Sequence, residues 1–428
     1  MQPCTMISAS PRGRLTSSRQ LSGKVLRSGL EDAPRFPGFT RELQPPRFWK
    51  GSNPRMPHPK NVFVTGATGF IGSHLTARLL QDGYHVKALV RRSKTASARE
   101  RVETILGAAG AARFENLRVL EGDISLPHLG LSDAARAEIT SCTEEVWHCA
   151  ASLSFGPQNR AEIFRMNVDG TRHVLDLVKQ LPGRRLHHVS TAYIAGNRSD
   201  LALETEIDVG QSFKNPYEES KCRSEIMIAG AHQADAIRAS VYRPSIVIGD
   251  SKSGRVTHFH GVYAFIRALW TALERLRRHT PHLDFIKLPL RVLGVENQTL
   301  NFVPIDYVVD GMVEISRRTD SNGGTYHLSN PVPTENRFWL PNICRILHVE
   351  GIQLVGHSSF LKSPMTKLES LFQKQMAFYY QYLQGEPRFD CRGALEALNN
   401  TGIECPRVTV EFISKMAGWY VNFLNAGA

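Results

Sequence analysis

The chain has 428 residues, 42% of them apolar and 21% charged, a globular composition long enough to build a large core or two. Its formal charge of +12 is unevenly spread: residues 1–58 hold ten Lys/Arg against three Asp/Glu, so the body is only mildly basic and its charge is no argument for nucleic-acid binding. The seven cysteines are never spaced as Cys-x-x-Cys, and no apolar run nears the roughly 20 residues that span a bilayer, which argues against a disulfide framework, a structural zinc site and a membrane channel.

Residues 1–58 also carry eight of the 23 prolines and show no sustained apolar period, so they are expected to form a disordered basic extension. An organelle transit peptide, a non-functional extension, or a start assigned upstream of Met56 would each give this composition. A reducing, cytoplasmic setting is expected from the cysteines, with organelle targeting the lesser alternative.

From Lys60 the pattern changes. Asn61–Thr65 reads as a short buried strand, followed by a glycine-rich turn and an amphipathic helix carrying Ile71, Leu75, Leu79 and Leu80. Further strand-like runs fall at His85–Val90, Leu117–Leu120, Glu145–Cys149, Leu186–Ser190, Ala239–Tyr242 and Ile246–Ile248, with helical patterns such as Asn167–Gln180 between most of them. Such alternation predicts an α/β fold, a mainly parallel sheet covered by helices on both faces. Beyond about residue 250 it loosens into helices at Val262–Arg278, Tyr307–Ser316, Pro341–Leu347, Leu371–Gln384 and Glu411–Leu424, with a strand at Leu300–Val303. The expected division is a nucleotide-binding domain over 59–250 and a smaller, mostly helical substrate lobe over 251–428, whose segment 300–330 returns to the sheet.

The turn Val64-Thr-Gly66-Ala-Thr68-Gly69-Phe70-Ile71-Gly72 lies between strand and helix. There glycines permit a tight turn and close approach of a pyrophosphate to the free amides of a helix start, which predicts dinucleotide binding; the bland reading is a tight turn without ligand. After the second strand come Arg91-Arg92 with no neighbouring acid in sequence. A guanidinium there suits the 2′-phosphate of NADPH, whereas NAD would want a carboxylate; a solvated arginine pair is the alternative. Asp123 and Ile124 close the third strand, where Asp123 either meets the adenine amino group or caps a turn.

Tyr217 and Lys221 stand four residues apart and share a helix face, 26 residues beyond Thr191 at a strand's carboxyl end. An ammonium beside a phenol stabilises the phenolate and lowers its pKa, making Tyr217 a general acid/base, while Thr191 can donate to a carbonyl oxygen. Tyr-x-x-x-Lys alone is common by chance, and Thr191 alone would most often be a cap. The sixteen histidines offer no ligand cluster, so no metal is expected.

Together with Asn167–Thr171, Arg243–Gly249 and Asn301–Asp310, these motifs resemble the extended short-chain dehydrogenase/reductase superfamily over roughly residues 60–330. The resemblance implies a Rossmann doubly wound sheet, a pyrophosphate site at Gly66–Gly72, and a triad in which Tyr217 is the acid/base, Lys221 orients the ribose and Thr191 polarises the substrate. It puts Cys149–Ser152 beside the cofactor and makes Asn167 a structural or relay residue. Val189–Gly196, Arg243–Gly254 and the aromatic C-terminal helix before Phe389-Asp390 look like fatty acyl-CoA reductases and carrier-protein thioester reductases. That narrower resemblance implies NADPH-dependent reduction of an acyl-CoA or carrier-bound thioester to aldehyde or alcohol. Helices 262–278 and 371–384 would then line an acyl tunnel, or equally be ordinary core. The same scaffold and triad also serve sugar-nucleotide epimerases and dehydratases and hydroxysteroid- or flavonoid-type ketone reductases; a non-catalytic NADPH-binding regulator is the remaining class. No nucleic-acid partner is expected, peripheral membrane contact through the Arg-bearing helix 262–278 is allowed by its amphipathicity, and monomer and homodimer both stay open.

Overall fold

The computed structural model describes residues 60–428 other than 94, 95, 281, 319–322 and 428; the expected disordered extension at 1–58 lies outside the described residues. Seven parallel strands form the central sheet: β1 Asn61–Thr65, β2 His85–Val90, β3 Leu117–Glu121, β4 Glu145–His148, β5 Arg185–Val189, β6 Arg238–Tyr242 and β7 Thr325–Tyr326. Their order is β7-β6-β5-β4-β1-β2-β3, all pairs parallel. The chain winds outward in both directions from the β1/β4 junction, which makes that junction the crevice where an open parallel sheet presents its strand ends to a ligand.

Both faces are buried, as a wholly parallel sheet requires. In β1, Val62 and Val64 point to one side and Phe63 to the other, all at 0% exposure. On the first side helix α1 (Phe70–Gln81) packs against the returning helix Ile305–Arg317, with Leu75, Leu79, Val308 and Met312 between. Helix α2 (Ala98–Ala108), started by a Ser97/Glu100 capping box, joins the same core. On the other side α3 (Asp133–Cys142), α4 (Gly170–Val178) and α5 (Pro216–Gln233) contribute Ile139, Val174, Leu175 and Ile228. Asn215 caps α5 by accepting from the Glu218 amide, and Pro216 occupies its first turn, so this helix starts where sequence signals place it.

A separate core fills the C-terminal region. The apolar stripe of Val262–Arg277 is covered: Phe265 meets Trp339 and Phe372 edge to face, each at 5.5 Å. Leu276 stands 37% exposed near the helix end. The aromatic run Leu371–Gln384 is two helices, Lys367–Met376 and Tyr380–Leu383, instead of one. Ile286–Leu293 and Val349–Val355 add a parallel strand pair that the sequence reading left out. Segment 302–304 pairs with 246–248 in a two-stranded parallel sheet separate from the central one. No described helix is long and apolar enough to cross a membrane, and the six described cysteines are free thiols.

Candidate active site

The glycine turn sits at the carboxyl end of β1. Gly66 has φ +76°, and a Cβ there would lie 2.5 Å from the Ala150 amide nitrogen; one on Gly72 would lie 2.1 Å from the Gly66 carbonyl oxygen. Only bare glycines let β1, α1 and the chain after β4 approach this closely. Gly69 begins α1 without any side-chain cap, and the first turn contains no acid. The amides of Phe70, Ile71 and Gly72 thus open an uncapped, electropositive helix end beside half-buried Thr68, which suits a pyrophosphate.

The neighbouring strand ends carry the remaining groups. After β4, Cys149 touches the Gly72 position, and burial pushes its thiol up to about 12. Beyond β5, Ser190 and Thr191 are buried. Thr191 Oγ1 accepts from the Tyr193 amide at 3.2 Å, while its own proton has only the Pro244 carbonyl at 3.5 Å. The capping alternative is therefore real, but it occupies the hydroxyl as acceptor and leaves its donor only loosely engaged. Ser190 Oγ is buried with no hydrogen-bond partner.

Helix α5 crosses beside β5. Lys221, 2% exposed, donates from Nζ to the Val189 carbonyl at 2.7 Å and to His188 Nε2 at 3.1 Å. An ammonium has three N–H bonds, so one is left for a ribose hydroxyl or a phenol. Burial lowers its pKa to about 8 against the opposing pull of Glu225. His188 accepts through Nε2, which puts its proton on Nδ1, a buried atom without partner. Tyr217 lies one turn earlier, its ring edge-to-face with Phe155 at 5.7 Å. Its phenol is held above the ordinary value, first by burial and then by the Glu218 carboxylate, so the depression expected from Lys221 is not what this arrangement produces. The ammonium is instead engaged by Val189 and His188. A phenol kept protonated at neutral pH is an acid, the form a reduction consumes.

Behind these groups lies a polar shell that the sequence reading largely missed. His148 bridges Thr65 (2.7 Å) and Thr171 (3.1 Å). Asn167, in a π-helical turn at Arg165–Asp169, accepts from the Ser152 amide at 2.7 Å and donates to Ser220 Oγ at 2.8 Å, tying the post-β4 chain to α5. A π-turn marks this place in the helix, yet nothing in a hydrophobic period announces it. His187 and His188 alternate across β5, and His187 stacks on Trp147 at 4.1 Å on the face opposite His188.

The adenosine end is looser. Arg91 and Arg92 are exposed at the end of β2, and the fold brings Glu121 to 4.0 Å from Arg92, an acid the linear sequence did not place nearby. Such an exposed pair is worth little and leaves the guanidinium free to turn. Asp123 accepts from the Ser125 amide at 2.8 Å through one carboxylate oxygen and so caps a turn, and Ile124 is buried against Gly170. Among the described residues no three His, Cys, Asp or Glu side chains gather as a metal would need.

A doubly wound sheet with a glycine cradle at its switch point, and a Tyr-x-x-x-Lys helix at the adjoining strand end, defines a dinucleotide-binding α/β protein of the extended short-chain dehydrogenase/reductase type. Comparison with known proteins narrows this: an NAD-binding family model described as male sterility protein matches residues 64–312. The chain belongs to that family. It is 28% identical over 296 residues to the nonribosomal peptide synthetase asaC of Aspergillus flavus, an alignment covering 66% of this chain and 27% of that protein. Fatty acyl-CoA reductase 1 of Mus musculus is 32% identical over 154 residues, 33% of this chain and 30% of the relative. The chain thus spans about a third or less of the length of these two curated relatives. Among solved structures, the terminal R domain of the myxalamid PKS-NRPS biosynthetic pathway superposes with a TM-score of 0.69 at 24% identity, covering 86% of this chain and 92% of that one, a likeness of fold.

Proposed function

We propose that the protein is an NADPH-dependent reductase of acyl thioesters, carried on coenzyme A or on a carrier protein. The observation that carries this reading is the convergence at one sheet end: Lys221 anchored to the carbonyl of Val189, Tyr217 on the same helix face, Thr191 two residues further along, and the glycine cradle beside them. The family relatives whose names include fatty acyl-CoA reductase and nonribosomal peptide synthetase support a thioester substrate. Arg91 and Arg92 support the phosphorylated nicotinamide cofactor, since both are exposed at the strand end where a 2′-phosphate would need charge.

When bound, the cofactor supplies a hydride to the thioester carbon. Thr191 and Tyr217 donate hydrogen bonds to the carbonyl oxygen, whose developing negative charge each donor stabilises by ~3 kcal/mol. Tyr217 then gives up its proton to that oxygen, and Lys221 stabilises the phenolate left behind while its free N–H orients the ribose. Collapse of the hemithioacetal breaks the C–S bond and yields aldehyde and thiol; a second hydride would give the alcohol.

Purified protein is to be incubated with NADPH and, separately, acyl-CoA thioesters, sugar nucleotides and ketosteroids, following nicotinamide absorbance and free thiol. The reading predicts oxidation with thioesters alone, one thiol appearing per thioester reduced. Turnover of sugar nucleotides or ketosteroids without thiol release would overturn it.

A further inference from the structure

Two phenol–carboxylate hydrogen bonds join the C-terminal segment 379–386 to the two places that carry the reaction's hydroxyl groups. Tyr193, two residues beyond Thr191, donates its hydroxyl to Glu386 Oε2 at 2.5 Å. Tyr382 donates its own to Glu218 Oε1 at 2.6 Å, and Glu218 directly follows Tyr217 on α5. The pairs are crossed: the segment supplies the carboxylate in one and the phenol in the other. The two tyrosine rings meet edge to face at 5.2 Å. Lys214 braces both, with its amide on Glu218 Oε2 at 2.9 Å, its ammonium on the Gly385 carbonyl at 2.9 Å and 4.8 Å above the Tyr382 ring. Asn215 Nδ2 adds a bond to the Tyr382 hydroxyl at 2.8 Å. Phe155 closes the group, edge-on to Tyr217 at 5.7 Å and to Tyr379 at 5.9 Å.

This is a costly way to pack a lobe against a helix. Glu218 is fully buried, Tyr193 and Tyr382 are 5% and 9% exposed, and burial raises Glu218 and Glu386 alike to about 7. Buried carboxyl groups cost free energy that apolar side chains of the same size would not, and what they return is direction. Direction is what two hydroxyls on different elements need if both are to reach one carbonyl oxygen, because a misplacement of about 1 Å can cost ~100-fold in rate.

We propose that segment 379–386 is a positioning clasp, in which Tyr382 on Glu218 and Glu386 on Tyr193 fix the separation of Tyr217 and Thr191 across the substrate carbonyl. The proposal rests on the reading of Tyr217 and Thr191 given above. Tyr382 and Glu386 touch neither substrate nor cofactor in this scheme; they act through the residues they hold.

The test compares wild type with Tyr382→Phe and Glu386→Gln, both of which keep shape and remove one bond of the clasp. Each variant is expected to melt as a folded protein, to bind NADPH with unchanged Kd and to keep its thioester KM, while kcat falls about tenfold or more. Hydrogen exchange read by mass spectrometry supplies a second measure: Tyr382→Phe is expected to speed exchange in peptides covering 212–220 as well as 379–386, and Glu386→Gln in 190–196. Failure of the functional reading shows in wild type, as absence of NADPH oxidation with any thioester, and the exchange pattern still judges the clasp. Wild-type kcat in both folded variants, or exchange unchanged around Tyr217 and Thr191, would overturn it.

Discussion

A lysine ammonium buried at 2% exposure keeps its charge only where acceptors replace water, and Lys221 has two of them in Val189 and His188. Burial still lowers its pKa to about 8, so the charged form is complete below that pH and is lost as pH rises through it. The rate that depends on this ammonium is therefore expected to be level through neutrality and to fall about tenfold per pH unit above about pH 8, measured as kcat at saturating NADPH; a profile level to pH 10 would contradict the role. Tyr217→Phe removes the proton donor and leaves the ring, so kcat is expected to drop by ~10²–10⁴ with NADPH affinity unchanged. Tyr217, Lys221 and Thr191 were legible in sequence because their spacing on a helix face and at a strand end has a chemical use. Glu218, Tyr382 and Glu386 were not, since their pairing spans more than 160 residues and no local period records it.

At the scale of elements, the glycine turn is the most exacting. A methyl group on Gly72 would press against the Gly66 carbonyl, a backbone atom that cannot give way, so Gly72→Ala is expected to weaken NADPH binding by about tenfold or more, read by fluorescence titration. Gly107, in α2 with nothing within 4 Å of an added Cβ, is the control: Gly107→Ala is expected to leave binding alone and to stabilise the fold by ~0.5–1 kcal/mol. The alternating strands and helices up to residue 250 were readable because each is buried on a regular period. Two later elements were not. Ile286–Leu293 alternates buried and exposed positions as a strand should, but Pro289 interrupts the run and argues against a ladder; the pairing with Val349–Val355 shifts register between Glu350 and Ile352, opposite Leu288-Pro289, and that irregularity accommodates the missing N–H. The aromatic run 371–384 has helical composition throughout, yet it breaks after Met376, and the Tyr382 bond to Glu218 beyond that break shows tertiary contact prevailing over propensity.

For the whole molecule, the sheet and the C-terminal region are tied by Arg243, 1% exposed at the end of β6. Its guanidinium binds both Glu225 oxygens at 2.6–3.0 Å, the carbonyls of Glu204 and Glu206 at 3.2 and 2.8 Å, and His327 Nε2 at 3.2 Å. The Glu204 carboxylate in turn receives the amides of Gly393 and Ala394 at the start of helix Arg392–Leu398. Arg243→Ala strands the buried Glu225 charge and is expected to cost ~3–5 kcal/mol in urea unfolding; a loss below about 1 kcal/mol would mean the site relaxes around the gap. That Arg243 opens a recognisable phrase was visible in sequence, but its partners lie on three separate stretches, and only the fold assembles them. The most direct measurement of the central claim is the fate of the transferred hydrogen. With NADPH deuterated at C4 on the transferred face and an acyl-CoA thioester as substrate, deuterium is predicted on the carbonyl-derived carbon of the aldehyde or alcohol, with thiol released and labelled product formed ~10²–10⁴ more slowly by Tyr217→Phe under the same conditions. Binding of NADPH with no deuterium in any thioester-derived product would contradict it.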